Sequence, residues 1–465
     1  MATHDPLAEF IRAACVPPDS HHLAGTLEDA EGILAAHPEI KTSTVHVAAI
    51  LGDDAAVRSF VTADPAKATA KGGPHGWDPL THLCFSKYLR LDRQRSAGFV
   101  RAAQALLDAG ANPNSGFFSH EHVPEPEYES VLYGAAGIAH DAELTRILVQ
   151  RGADPNNEEV VYHTPETWDN AALKILLESG KLTAASLARM LLRKTDWHDY
   201  DGIKMLLEHG TDPNQLTRWG KTALHNALLS DNRLKIVELL LDHGADATVP
   251  GTHPEVYRSG AGKSSVWLAA ERGRDDVLEL FERRGIPIEL QGSGSLMAAC
   301  ARKDEAAVRS IAGRDPAVVS QLQAEGGRVL AQFAGNGNTE GVRHLLDLGV
   351  DIEAPSQEED FYWGIAKNST ALHVAAWRAR HATVKLLIER GAQVDRPDGK
   401  GRTPLALAVR ACVDSYWTHL RSPESVRALL EAGAPVTGVQ FPSGYAEVDA
   451  LLEAHGLTRT NTDGT

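Results

Sequence analysis

Cysteine is scarce in this chain of 465 residues: Cys15, Cys84, Cys300 and Cys412 stand far apart and none belongs to a CxxC pair. That usage reads as reduced thiols of a cytoplasmic protein, packed as small hydrophobes, not as a disulfide framework. Long apolar runs are also missing, since no stretch approaches the roughly 18 residues needed to span a bilayer. The first residues, MATHDPLAEFIRAAC, carry no basic segment ahead of an apolar one, so no signal peptide is expected. Positive charge is in deficit, with 46 Lys and Arg against 62 Asp and Glu, a formal net charge of −16. A duplex nucleic acid or an anionic membrane surface demands the opposite balance, and neither is expected as a partner. With 43% hydrophobic and 23% charged residues, wholesale disorder is not expected either. Length alone suggests about three domains.

What the sequence does contain is a repeat, and the repeat replaces that domain count. A leucine-rich segment ending in Gly-Ala-x-x-Asn or a close variant recurs as LLDAGANPN (106–114), ILVQRGADPN (147–156), MLLEHGTDPN (205–214), LLLDHGADAT (239–248), LFERRGIPIE (280–289), LLDLGVDIE (345–353), LLIERGAQVD (386–395) and LLEAGAPVT (429–437). Variants ending in Pro lie at 33–40, 57–68 and 308–319. Ahead of each tail comes a second, shorter helix signal, best seen in Thr222-Ala-Leu-His-Asn-Ala, Thr370-Ala-Leu-His-Val-Ala-Ala and Thr403-Pro-Leu-Ala-Leu-Ala. Thr caps a helix N-terminus and Pro suits its first turn, while small Ala residues let the next helix approach. Ile236, Leu239 and Leu240 form an apolar stripe, and Gly244 supplies the positive φ that stops the helix.

The paired T-P-L-H-x-A and L-L-x-x-G-A-D-x-N signatures, in register along nearly the whole chain, resemble the ankyrin-repeat family, in its bacterial-type, cytosolic form with long finger insertions. The resemblance implies an all-α solenoid of about 11–12 helix-turn-helix units with β-hairpin or loop fingers. Residues 1–22 are expected as an N-terminal cap, 23–439 as the solenoid, and 440–465 as a C-terminal cap and frayed tail. Degenerate units fall at 164–184 and 293–330.

Repeat spacings of 41–42 exceed the usual 33 or so, and the surplus falls in four long fingers at 115–129, 157–170, 249–263 and 354–368. Further insertions at 86–97 and 411–424 lengthen the loop between paired helices. The four fingers with 215–219 hold ten aromatics, among them Tyr257, together with 12 acids and 4 bases, which is half of the chain's negative excess. Exposed aromatics cost solubility without building a core. The resemblance implies that fingers and inner helices line a concave groove, which here would be acidic and aromatic. The competing reading folds the fingers back over the repeats as small satellite cores.

Other motifs are weighed against simpler roles. Gly260-Ala-Gly-Lys-Ser-Ser is similar to a phosphate loop but has Tyr257 where that motif needs its first glycine, and no strand precedes it, so it reads as a finger tip. His120-Glu121-His122, with Glu125 and Glu127, lacks a recognised ligand spacing, and no metal is assigned. His225 and His373 occupy the family's structural histidine position. Within 194–201 (KTDWHDYD), Asp201 reads as a helix cap, and Asp196 and Trp197 join the candidate contacts.

Two functions follow. The first is a protein-protein interaction scaffold holding a basic or Lys/Arg-bearing peptide or protein in the groove, through Trp168, Trp219, Tyr362, Trp363, Glu127, Glu166, Glu359, Asp360, Trp197 and Asp196, by cation–π contacts and charge steering. The alternative is carbohydrate or other small-molecule binding in a pocket of the finger loops. If hydrolytic, it would use carboxylates such as Asp196, Asp199, Glu166 and Asp169 in a glycoside-hydrolase-like manner. No catalytic residue and no cofactor is assigned. Convergence of the aromatics on one deep pocket would favour the second reading, and their spread along an open surface the first.

Overall fold

The computed structural model describes residues 5–19, 22–120, 126–252, 262–357 and 359–458. Helices follow one another in pairs, the first often the shorter, and the local chemistry is the one the repeat encodes. In the pair Val45–Leu51 and Asp54–Ala63, the Thr44 side chain accepts the Val47 N–H and the Asp53 side chain accepts the Ala56 N–H. Every residue of Val45–Leu51 is buried, whereas Asp54–Ala63 buries only Val57 and Val61. A helix of seven residues is too short to hold itself in water, so its stability comes from the neighbours that cover it.

The repeat histidines lock the turns. In the Thr222 and Thr370 repeats the backbone N–H of the threonine donates to the histidine Nδ1, at 3.3 Å for His225 and 3.1 Å for His373. With Nδ1 the acceptor, Nε2 carries the proton, and that of His373 donates to the Arg396 carbonyl in the following turn at 2.9 Å.

Contacts divide the chain into two compact units, residues 1–227 with 239–246, and residues 228–238 with 247–465. In the first unit the helix Pro6–Ala14 buries Phe10, Ile11 and Ala14. The finger at 115–129 forms a hairpin of β1 (Gly116–Ser119) and β2 (Glu127–Ser130), paired antiparallel with Phe118 opposite Tyr128. Alternation along β1 buries Phe117 against Trp77, ring centres 4.4 Å apart, and turns Phe118 outward.

Several sequence expectations are corrected. Segment 157–170 is not a finger: Asn157 caps the helix Glu158–His163, which buries Val160 and Val161 and is the inner helix of its repeat. Its threonine signature is missing, which is why the sequence hides it. Asp199, not Asp201, caps the helix Tyr200–Glu208, because the preceding helix Ala184–Asp196 runs almost to it. The insertion at 86–97 holds a short helix, Lys87–Leu91. The degenerate stretch 293–330 is helical throughout, with Ser293–Ala301, Glu305–Arg314, Pro316–Ala324 and the start of Gly326–Asn336.

The second unit contains a connection that nearest-neighbour stacking does not supply. Asp231 occupies the turn after the helix Ala223–Leu229 with a φ of 50°. The Arg272 guanidinium donates to its two carboxylate oxygens at 2.8 and 2.6 Å. Arg378, 147 positions from Asp231, donates from Nη1 at 2.9 Å. Asn336 and Asn338 reach the same place, donating to the carbonyls of Arg272 and Gly273, each at 2.9 Å. Gly273 has a φ of 66°, and a Cβ there would meet the Phe333 ring at 2.6 Å, so the turn and the helix Gly326–Asn336 fit only around glycine. Turns of four helix pairs thereby meet around Asp231, those of Arg272 and Arg378 through its carboxylate and that of Asn336 and Asn338 through the Arg272 and Gly273 carbonyls.

Burial pushes the Asp231 carboxyl upward, but the Arg272 and Arg378 charges outweigh it and hold the group well below its usual 3.8. Its stabilising contribution is therefore fully present above pH 3.8 and is lost only as pH falls through the depressed value in strong acid. Replacing Asp231 by Asn leaves two buried guanidiniums without their counter-ion, and denaturant unfolding should report a loss of about 3–5 kcal/mol. A loss below about 1 kcal/mol would show that the carboxylate does not tie the turns together.

Candidate functional site

In the first unit a network of alternating charges and rings builds up between the helices Glu158–His163 and Ala184–Asp196. Arg193 lies over the Tyr162 ring, its guanidinium carbon 4.1 Å from the centre, and pairs with both Glu166 and Asp196. Asn226 Nδ2 donates to the other Asp196 oxygen at 2.8 Å. His163 sits between two carboxylates, Nδ1 2.7 Å from Glu166 and Nε2 3.2 Å from Glu159. Burial lowers its pKa, but the two hydrogen-bonded carboxylates outweigh burial and raise it to about 9. Glu166 is pushed up by burial and pulled down further by His163 and Arg193, so its carboxyl lies below the usual range. Trp219 meets Tyr162 edge-on at 5.9 Å and has Arg189 and Arg218 against it at 5.6 and 5.3 Å. Both arginines also pair with Glu158.

Beside this network stands a more open corner. Trp168 is 67% exposed. Its indole N–H donates to the Trp197 carbonyl at 3.1 Å, and the two rings meet edge-on at 5.1 Å. Beneath, Lys194 is buried and donates to Asp199 at 2.7 Å and to the Thr167 carbonyl at 2.5 Å, which fixes the segment carrying Trp168. Glu127 lies apart from this corner, on β2, where carboxylate oxygens of Glu127, Glu129 and Glu159 come within 4.8 Å of one another. Of the His120-Glu121-His122 motif, only His120 falls among the described residues, with Nδ1 3.5 Å from Asp19.

The remaining sequence-predicted residues belong to the second unit. Trp363 is only 6% exposed and is packed with Trp377 and Trp417, so it forms part of a satellite core and not of an accessible surface. Tyr362 packs against that cluster. Its neighbour Phe361, which was not singled out, is 71% exposed. Glu359 pairs with Lys400 at 2.5 Å, and Asp360 makes a bridge with Ile365. Tyr257 and the start of the Gly-Ala-Gly-Lys segment lie outside the described residues; Lys263 pairs with Glu271 at 2.8 Å and Ser264 caps the helix Ser265–Glu271. Arg193 and His163 escaped sequence reasoning, although Arg193 stands three residues before Asp196, a spacing that pairs charges on a helix. Trp417 and Arg378 left no such local signal.

Stacked pairs of a short and a longer helix, closed by glycine turns and locked by the Thr–His bond, define a repeat protein of the helix-turn-helix solenoid class. The family model described as "Ankyrin repeats (3 copies)" matches residues 132–251, 193–292, 296–398 and 330–438, and the chain belongs to the ankyrin-repeat family. Human ankyrin repeat and SOCS box protein 16 is 27% identical over 296 residues, 62% of this chain and 55% of that protein. Ankyrin repeat domain-containing protein SAT10 of Stachybotrys chartarum is 26% identical over 313 residues, 66% of this chain and 14% of that protein. Chicken inversin is 40% identical over 82 residues, 18% of this chain and 7% of inversin. This chain therefore spans about half, or much less, of the length of these relatives. The human ASB11 ankyrin repeat domain aligns over 59% of this chain and 98% of that domain, with 21% identity and a TM-score of 0.26. Ankyrin repeats generally mediate protein-protein interaction, and that is the functional class of the fold. Among the described residues no helix is long and apolar enough to cross a membrane.

Because its raised pKa belongs to the folded state, His163 stabilises the first unit fully below pH 6.5, and this contribution fades as pH rises through about 9. NMR titration of the His163 ring should give a midpoint near 9, and Glu166→Gln should bring it down by about a unit or more. A midpoint near 6.5 in the unmodified protein would mean that the two carboxylates do not enclose the ring.

Proposed function

We propose that this chain is a protein-interaction scaffold acting in a reducing, cytoplasmic setting, and that the Trp168 corner receives a basic segment of its partner. The observation that carries the reading is an indole 67% exposed yet held by a hydrogen bond to Trp197. A rigid aromatic face binds without losing further rotamer freedom, which is the property of an interface hot spot. Asp169 beside it is exposed and forms no ion pair with a basic side chain among the described residues, acting only at a distance on the buried Lys194. Asp201 at the start of the next helix is exposed too. A Lys or Arg side chain would find a ring face and carboxylates together there. Most other acids named from the sequence are occupied internally, Glu166 and Asp196 by Arg193, and Glu359 by Lys400. Asp169 and Asp201 therefore supply the acidic character that the reading assigns to the corner.

The hydrolytic reading has less support. A general acid needs a raised pKa, and Glu166 is shifted the other way, with both oxygens engaged. The aromatics also fall into separate clusters, one at Tyr162 and Trp219, one at Trp168 and Trp197, and one around Trp363.

Selection of a random peptide library against the full chain at low salt should enrich sequences rich in Lys and Arg. Trp168→Ala should weaken the selected peptides by about 30-fold, the effect of a hot-spot truncation. Raising ionic strength should weaken them further. Enrichment of acidic or uncharged peptides, or binding indifferent to Trp168→Ala, would overturn the proposal.

A further inference from the structure

The residue that precedes each outer helix is, in most repeats, a capping side chain. Asp53, Asp141, Asp199, Asp304 and Asn338 each accept a backbone N–H from the turn they start. In the second unit Pro423 departs from this pattern, and two further positions place an arginine there. Arg274 precedes the helix Asp275–Arg283 and Arg380 precedes His381–Glu389, and neither caps its helix. A guanidinium there adds positive charge to an end that the helix dipole already makes positive.

The two arginines differ in how that charge is answered. Arg274 donates to both oxygens of Asp276, at 2.8 and 2.9 Å. Arg380 donates from Nε to the Gly335 carbonyl at 2.8 Å, and among the described residues no carboxylate pairs with it. Its guanidinium carbon is 5.8 Å from the centre of the Trp417 ring, and that of Arg378 is 4.7 Å from the same centre. Arg378 is already committed to Asp231 through Nη1. Its Nε and the Trp417 indole nitrogen are buried donors with no acceptor, in side chains only 2% and 8% exposed. Buried donors are nearly always satisfied, so two orphans beside an unpaired guanidinium mark a site missing its acceptor. Burial, then the Arg378 charge and more weakly that of Arg274, bring the Arg380 pKa down to about 10 against the opposing pull of Asp231.

We propose that Arg380, Arg378 and Trp417 form a binding site for an oxyanion of the phosphate class. Arg380 is partly exposed and offers the edge of its guanidinium at the entrance. A phosphate has oxygens enough for the three donor groups and the negative charge that Arg380 lacks in a partner. The phosphate is either a free ion or a phosphorylated side chain of a partner, and the two sources share this chemistry. Occupancy would complete the missing cap of the helix His381–Glu389 and offset the surplus of arginine around Asp231.

The test uses the full chain with inorganic phosphate, and in a second arm a short neutral peptide bearing one phosphoserine. At equal ionic strength, phosphate should raise the melting temperature saturably where chloride does not, and 31P NMR should show binding. Arg380→Gln should abolish both signals, while Arg343→Gln, at an exposed pair with Glu340, should leave them intact. Trp417→Phe keeps the ring but removes the N–H donor, and should weaken binding about tenfold. A response to the phosphopeptide alone would support the site and assign the phosphate to a partner. No response to either phosphate or the phosphopeptide beyond that of chloride, or an unchanged response in Arg380→Gln, would overturn it.

Discussion

The inner helices are short, apolar on nearly every side, and unable to stand without cover. Val45–Leu51 is buried at every residue, and Ala371–Trp377 likewise. Such a helix exists only between two others, so the chain is bound to repeat itself, and small residues such as Ala48, Ala49, Ala375 and Ala376 are what let neighbours close on it. The caps, the glycine turns and the Thr–His bond serve that one requirement. They place the short helix at a fixed angle to its partner and satisfy its ends without water.

In the second unit this requirement is supplemented by something local burial does not provide. Asp231, Arg272 and Arg378 join turns that are far apart in sequence, and Asn336 and Asn338 bind the same turns through their backbone carbonyls. Removing the carboxylate from between two buried arginines leaves both charges uncompensated, so the connection penalises loss of that one partner. It also gathers more arginine in one place than the carboxylates there can answer. That imbalance is what separates Arg380 from the aspartates and asparagine at equivalent positions elsewhere in the chain.

The negative excess of the sequence is likewise redistributed by folding. Glu158, Glu166 and Asp196 are turned toward Arg189, Arg193 and Arg218, where rings and charges alternate from a largely buried end at Arg193 to an exposed one at Arg218. Trp363 is drawn inward by Trp377 and Trp417, while Trp168 is held outward by a bond to Trp197. Residues of similar type in similar segments thus receive opposite roles.

The repeat, its family and its caps were legible in the sequence because each depends on residues within one turn or one helix of each other. Thr44 and Val47, Thr370 and His373, and the glycine after each leucine stripe are such cases. The helix Glu158–His163 was hidden because it lacks the threonine that marks the others, and tertiary packing of Val160 and Val161 decided it instead. The hub at Asp231 could not be read from sequence at all, since its partner Arg378 lies 147 positions away. The same holds for Trp363 with Trp417 and for the unanswered charge of Arg380. Sequence by itself determined most of the helices and how they end, because those choices are made by backbone geometry and near neighbours. Only the tertiary structure decided which acids are neutralised, which aromatics are exposed and which arginines lack a carboxylate, because burial and charge pairing depend on what the fold brings from far along the chain.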